Sequence, residues 1–412
     1  MTFSRKLVPL ALASLLWFLQ LGCGDQYRPV ANPIISPGGQ PQTAHFAWVV
    51  NFNPNGVGTT TEIDVSGDSN LAVNNMGLGS IAEAFPINSL ALFVANRDND
   101  TVSEYLPTLA GAITTISLLP GSRPVYLNSS QAGNMFVLNS GANSTCPNGG
   151  SVSTIPVATL SVTTTVCVGP SPFAMAQSSV DFYKYVLNGD GSVSVVNTNG
   201  GVTMIPSQQG QTPVAITTSN DGNYIFIVTQ NGVNPGILEI IAAGQATVAA
   251  SVPLGVQPTF AFADPSLNRL YVTNTGDNTV SVFDLSNVNP SNSPPIPLLA
   301  TVPVGTGPIG VTALQNGSLF YTANAGSDDV TAVSANSFST LATVSLPAGS
   351  NPVFIASDPT SSRVYVADQG TSQTTIIRTV DNTIGASIAA PPQQSGCTSS
   401  CALQQPVMIV TE

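Results

Sequence analysis

Charge is what this 412-residue chain has least of: Asp, Glu, Lys and Arg make up 7% of it, against about 25% in an average soluble protein. Lysine occurs only as Lys6 and Lys184, histidine only as His45, and tryptophan only as Trp17 and Trp48. So small a stock of charge excludes coiled coils, long amphipathic helices and charged disordered tails, which need ionised residues to stay in water. With 9 basic against 21 acidic residues and a net charge of −12, the clustered Lys and Arg that phosphate backbones require are missing. Nucleic acid is therefore not an expected partner. A single histidine also leaves few ways to build an acid–base pair or a zinc site. There is no Gly-x-Ser-x-Gly, and a Ser-His-Asp triad would have to use His45. What is abundant instead is Gly (36) and Pro (32), with Ser, Thr and Asn around a 42% hydrophobic content. That composition describes a turn-dense β protein whose surface is neutral hydroxyl and amide.

The first 22 residues read as an export signal. Arg5 and Lys6 precede an apolar run from Leu7 to Leu21, shorter than the ~20 residues a spanning helix needs. Gly22 before Cys23 resembles a bacterial lipobox, although Gln20 stands where Leu is usual, and Cys23 is the expected lipidation site. Residues 23–44, rich in Pro and Gly, then form an extended tether, leaving 45–412 as the folded domain. The expected location is the outer membrane, periplasm or surface of a bacterium, with membrane attachment through the lipid alone.

An internal repeat determines the expected architecture. Gly-x-x-Pro recurs at Gly121/Pro124, Gly169/Pro172, Gly210/Pro213, Gly255/Pro258, Gly305/Pro308 and Gly349/Pro352, with a degenerate copy at Gly77/Ser80. Fifteen or sixteen residues after each Gly comes an aromatic: Phe93, Phe136, Tyr185, Phe226, Tyr271, Tyr321 or Tyr365. Each unit of about 45 residues divides into four short strands bounded by Gly, Asn and Asp, the pattern of a β-propeller blade. The span from His45 holds about eight units, so eight blades are expected rather than seven. Trp48-Val49-Val50-Asn51 is a second strand with no first, and Pro406 to Val410 a first strand with no second. Together they complete one blade and close the ring.

Tyr271-Val272-Thr273-Asn274, with Gly276-Asp277-Asn278 and Thr279-Val280-Ser281-Val282 after it, resembles the YVTN-type repeats of bacterial surface and periplasmic propellers. The resemblance extends over 45–412 and implies a kinship with lactonase-like propellers. It carries an architecture and not an activity. Gly305-x-Gly307-x-x-Gly310 spells a dinucleotide fingerprint, but Pro308 leads into a strand where that motif needs a helix.

The remaining candidates cluster on one expected face. Asp98, Asp100, Asp190, Asp277, Asp328 and Asp329 fall in turns between second and third strands, and Arg123 sits inside a Gly-x-x-Pro loop beside them. Turn chemistry alone accounts for these acids; weak Ca²⁺ coordination is the most they offer, and no other metal or cofactor is expected. Insertions at 142–150 and 389–405 reach the same face, while 286–297 lies opposite. Cys146, Cys167, Cys397 and Cys401 are an even set in an exported chain, and sequence proximity favours Cys146–Cys167 and Cys397–Cys401. The expected function is a monomeric, non-catalytic module binding an envelope protein or polysaccharide through this face. A lactonase-like hydrolase and a structural surface component are the alternatives.

Overall fold

The computed structural model describes residues 46–411 apart from 66, 87–90, 108–110, 131–132, 209 and 395–400. Among them run thirty-two strands, from β1 (Phe46–Phe52) to β32 (Gln405–Thr411), and one 3-10 turn, Arg97–Asn99. They form eight four-stranded antiparallel sheets. Seven take their strands consecutively, over residues 80–117, 124–167, 174–205, 212–256, 258–303, 308–345 and 352–389; these are blades 2 to 8. Blade 1 differs, running β3 (Ser69–Leu78), β2 (Val57–Asp64), β1, β32. In it Trp48 lies opposite Val410 and Val49 opposite Ile409. The last strand thus fills the innermost place, and the ring closes as an eight-bladed β-propeller. The signal, tether, Cys23 and His45 lie outside the described residues.

The second strand of each blade shows why the sequence folds this way. In β21 (Arg269–Asn274) every residue from Leu270 to Asn274 is buried. Leu270 and Val272 pack with Phe226, Leu238 and Ile240 of blade 5, whereas Tyr271 packs with Val311 and Phe320 of blade 7. Alternate side chains therefore serve two different seams, each buried aliphatic or aromatic contributing about 1.5–3 kcal/mol.

The Asn that ends this strand is a clasp. Asn274 Nδ2 donates to Thr279 Oγ1 (3.1 Å) and Ser281 Oγ (2.9 Å) on the third strand, while its Oδ1 accepts the N–H of Gly255 (3.1 Å). Asn96, Asn139 and Asn188 likewise donate to two hydroxyls two residues apart at the start of their own third strands, Ser192 standing just before the strand in blade 4. A Cβ on Gly255 would come within 2.6 Å of the Asn274 side chain. The spacing from Gly to Asn in the repeat is thus a packing contact.

Two buried acids depart from the repeat. Glu83 pairs in register with Val94, and its counterparts in the other seven blades are Leu127, Met175, Ile216, Ala261, Val311, Ile355 and Ile409. It is fully buried at the seam where the ring closes and accepts a hydrogen bond from Thr60 Oγ1 (3.1 Å). Burial raises its carboxyl from 4.5 to about 8, with Thr60 and the amides of Val410 and Val50 pulling the other way. In blade 8, fully buried Asp368 replaces the clasp Asn and accepts from Thr375 Oγ1. Burial raises that carboxyl to about 7.

Candidate functional site

The acidic turns are occupied by their own scaffold. Asp100 accepts the N–H groups of Gly121 (2.8 Å) and Arg123 (2.7 Å), and Asp328 those of Gly349 (2.7 Å) and Asn351 (2.8 Å). Asp277 takes the N–H of Val256, Asp190 that of Ser192, and Asp329 the amide of Asn324. Asp98 pairs with Arg97 (2.8 Å) and, more loosely, with Arg123 (3.8 Å). The two amides on Asp328 hold its carboxyl below the usual range, as Arg97 does for Asp98. The Asp100, Asp277 and Asp328 contacts staple the Gly121, Gly255 and Gly349 loops to neighbouring turns, whereas Asp190 and Asp329 bond within their own blades. Among the described residues no three His, Cys, Asp or Glu side chains come together as a metal cluster. Asp328→Ala should therefore speed amide exchange at Gly349 and Asn351 about tenfold while leaving global unfolding nearly unchanged. Unaltered exchange at both amides would refute the stapling role.

The long loops reach the same end of the ring. Cys146 and Cys167 form a disulfide with their Cα atoms 5.3 Å apart, tying the 142–150 turn to the end of β11 (Thr164–Cys167). Cys401 is also disulfide-bonded; Cys397 lies outside the described residues. From the 389–405 loop, the Gln393 carbonyl accepts Asn53 Nδ2 (3.0 Å) and Gln404 Oε1 accepts Thr59 Oγ1 (3.1 Å), both on blade 1.

The opposite end carries a feature of another kind. A groove of about 740 Å³ opens between blades 3 and 4. Blade 4 is built from four-residue strands only: Ala174–Gln177, Lys184–Leu187, Val193–Val196 and Val202–Ile205. Such short strands leave part of the seam unfilled. One wall is Phe136, Val152, Thr154 and 163–166 of blade 3; the other is Gln177, Phe182, Lys184 and 196–200 of blade 4.

Lys184 dominates this groove. It stands immediately before the repeat's aromatic, where the other blades have Ala47, Leu92, Met135, Ile225, Leu270, Phe320 and Val364, all fully buried. Register places it between Gln177 and Val196, both of which also line the groove. Its ammonium lies 4.1 Å from the centroid of the Phe136 ring, a cation–π contact worth about 0.5–2 kcal/mol. Desolvation lowers its pKa, and no carboxylate counters that shift. Among the described residues it is the one ionisable side chain in the groove wall.

The molecule is thus a closed eight-bladed propeller with a groove of mixed polar and apolar lining at one blade seam. Among solved structures it is similar to the dihydro-heme d1 dehydrogenase NirN in complex with DHE, at a TM-score of 0.67 and 12% identity over 92% of this chain and 78% of that one. It is also similar to apo AztD from Citrobacter koseri (TM-score 0.59, 13% identity, 90% of this chain and 98% of that one). Virginiamycin B lyase from Staphylococcus aureus matches at a TM-score of 0.51 and 13% identity, over 70% and 92% of the two chains. At such identities the likeness establishes the propeller fold. No family profile and no curated protein matches the sequence.

Sequence reasoning overlooked Lys184, Glu83 and Asp368 as special residues. The signal was available: aligning the repeats by their second strands exposes Lys184 and Glu83 as the exceptions at their positions, and Asp368 as one of two residues, with Thr229 of blade 5, that replace the clasp Asn.

Proposed function

We propose that this chain is an exported, non-catalytic binding module of the bacterial cell envelope, of the YVTN type, anchored through lipid at Cys23. Its ligand site is the groove between blades 3 and 4. One observation carries this reading: the groove has a single ionisable side chain, Lys184, among Thr, Asn and Gln. General acid–base hydrolysis calls for positioned titratable groups within hydrogen-bonding reach. A desolvated cation among neutral donors and acceptors is suited instead to holding a polar ligand. The signal-like start and the Pro/Gly-rich stretch after Cys23 support the envelope location.

Lys184 makes the test direct, since the chain beyond the signal has no other lysine. An envelope extract should protect Lys184 from an amine-reactive reagent, scored by mass spectrometry. Labelling of Lys184 that no extract fraction slows would refute the site. Turnover of a lactone panel that is lost in Lys184→Met would refute the non-catalytic assignment.

A further inference from the structure

The chemistry of the groove narrows its ligand, an inference that rests on the binding reading above. A cation taken partly out of water is costly unless a counter-charge or hydrogen-bond acceptor meets it. At Lys184 the ring of Phe136 offsets only part of that cost. Asp181, three residues away, turns its Oδ1 to the N–H of Tyr183 (3.0 Å) and not to the ammonium. The missing partner is therefore an anion that arrives with the ligand.

The rest of the wall indicates which anion. Dianionic phosphate is typically met by an arginine fork, a nest of backbone N–H groups or several basic residues. The groove wall has one lysine and no arginine, which matches a single negative charge. Around it stand Thr154, Thr163, Thr165, Gln177, Asn197 and Asn199. Thr163, Gln177 and Asn197 each use one polar atom within the protein, and the remaining hydroxyl and amide groups are a mixture of donors and acceptors complementary to vicinal hydroxyls. Phe182, 40% exposed at the rim, offers an aromatic face to an apolar C–H surface. The volume of about 740 Å³ falls inside the range of small-molecule sites.

We propose that the groove between blades 3 and 4 binds a carboxylate-bearing saccharide, its carboxylate on Lys184 Nζ and its hydroxyls on the Thr, Asn and Gln walls. A uronic acid unit has this combination of one charge, several hydroxyls and an apolar ring face. An acidic peptide supplies the charge without the hydroxyls, and the hydroxyl-matching walls disfavour it.

Calorimetry on the chain with digalacturonate, its methyl ester and an Asp-Asp dipeptide tests this. The acid should bind at least about tenfold more tightly than the ester, as expected for loss of a charge-assisted hydrogen bond. Lys184→Met, which places at this position the residue type of Met135, should keep the melting temperature and lose the preference for acid over ester. Lys184→Arg should retain part of it. Equal binding of acid and ester, no binding of either, or an unchanged preference in Lys184→Met would overturn the proposal. Dipeptide binding as tight as digalacturonate would replace the saccharide with a peptide. If extract protects Lys184 while digalacturonate does not, the ligand class fails and the binding site stands.

Discussion

Changing Glu83 to Leu together with Thr60 to Val is expected to stabilise the propeller at about pH 9 by ~2–4 kcal/mol, as replacement of buried charged groups by packed apolar ones can do. The other blades supply the precedent. The seven positions equivalent to Glu83 are apolar, and those equivalent to Thr60 are Val102, Val152, Val193, Leu238, Val280, Val330 and Thr374. Glu83 and Thr60 are thus a polar pair inserted where the repeat calls for hydrocarbon. Thr60 Oγ1 and the amides of Val410 and Val50 offset only part of the cost of burying Glu83, so its ionised form is poorly compensated.

The pH dependence follows from the direction of the shift. The folded protein keeps the Glu83 proton up to about 8, whereas the unfolded chain releases it near 4.5. Folding therefore binds a proton between those values, and this contribution to stability is fully present below pH 4.5 and lost as pH rises through 8. At about 1.4 kcal/mol per pH unit, the loss reaches a few kcal/mol. Urea unfolding at acid, neutral and basic pH should show this decline in the wild type and a shallower one in the double variant. Glu83→Ala should instead lose about 2–4 kcal/mol at acid pH, through the cavity and the orphaned Thr60 hydroxyl. An unchanged pH slope in the double variant would refute the role given to Glu83.

Asp368→Asn should stabilise the fold by about 1–3 kcal/mol above pH 8 and much less at pH 4. The change restores the clasp of six other blades, in which an Asn amide donates to third-strand hydroxyls such as Ser281 and Ser194; blade 5 has Thr229 there. An ionised Asp can accept the Thr375 hydroxyl but has no hydrogen to donate. Its raised pKa gives the same sign as Glu83: stability is retained below the ordinary carboxylate range and lost as pH passes about 7. Melting temperatures of both proteins across pH would separate at the basic end. A gain that is equal at pH 4 and pH 8 would show that ionisation of Asp368 is not the cause.

The eight blades were legible because each carries its own copy of the signal. The aromatic, the clasp Asn and the Gly before it act within one blade or between sequence neighbours, so spacing along the chain reports their contacts. Ring closure was legible for a related reason: the strand from Trp48 lacks a first partner, and Pro406 to Val410 lacks a second. The acidic turns were visible as a set, yet their role lay in which N–H groups they accept. Asp328 reaches residues 21 and 23 places further on, a relation set by how neighbouring loops fold against one another.

Composition and repeat by themselves determined a neutral-surfaced β-propeller, its blade count and the way its ends meet. Local hydrogen bonding and alternating burial dictate those properties, and both are periodic in the sequence. Only the tertiary structure decided where a ligand could sit. The groove exists because short strands in blade 4 fail to fill the seam with blade 3, and Lys184 acquires its character from the Phe136 ring and from the absence of a facing acid. A seam belongs to two blades at once, and its emptiness or charge balance is a sum over residues that spacing along the chain does not bring together.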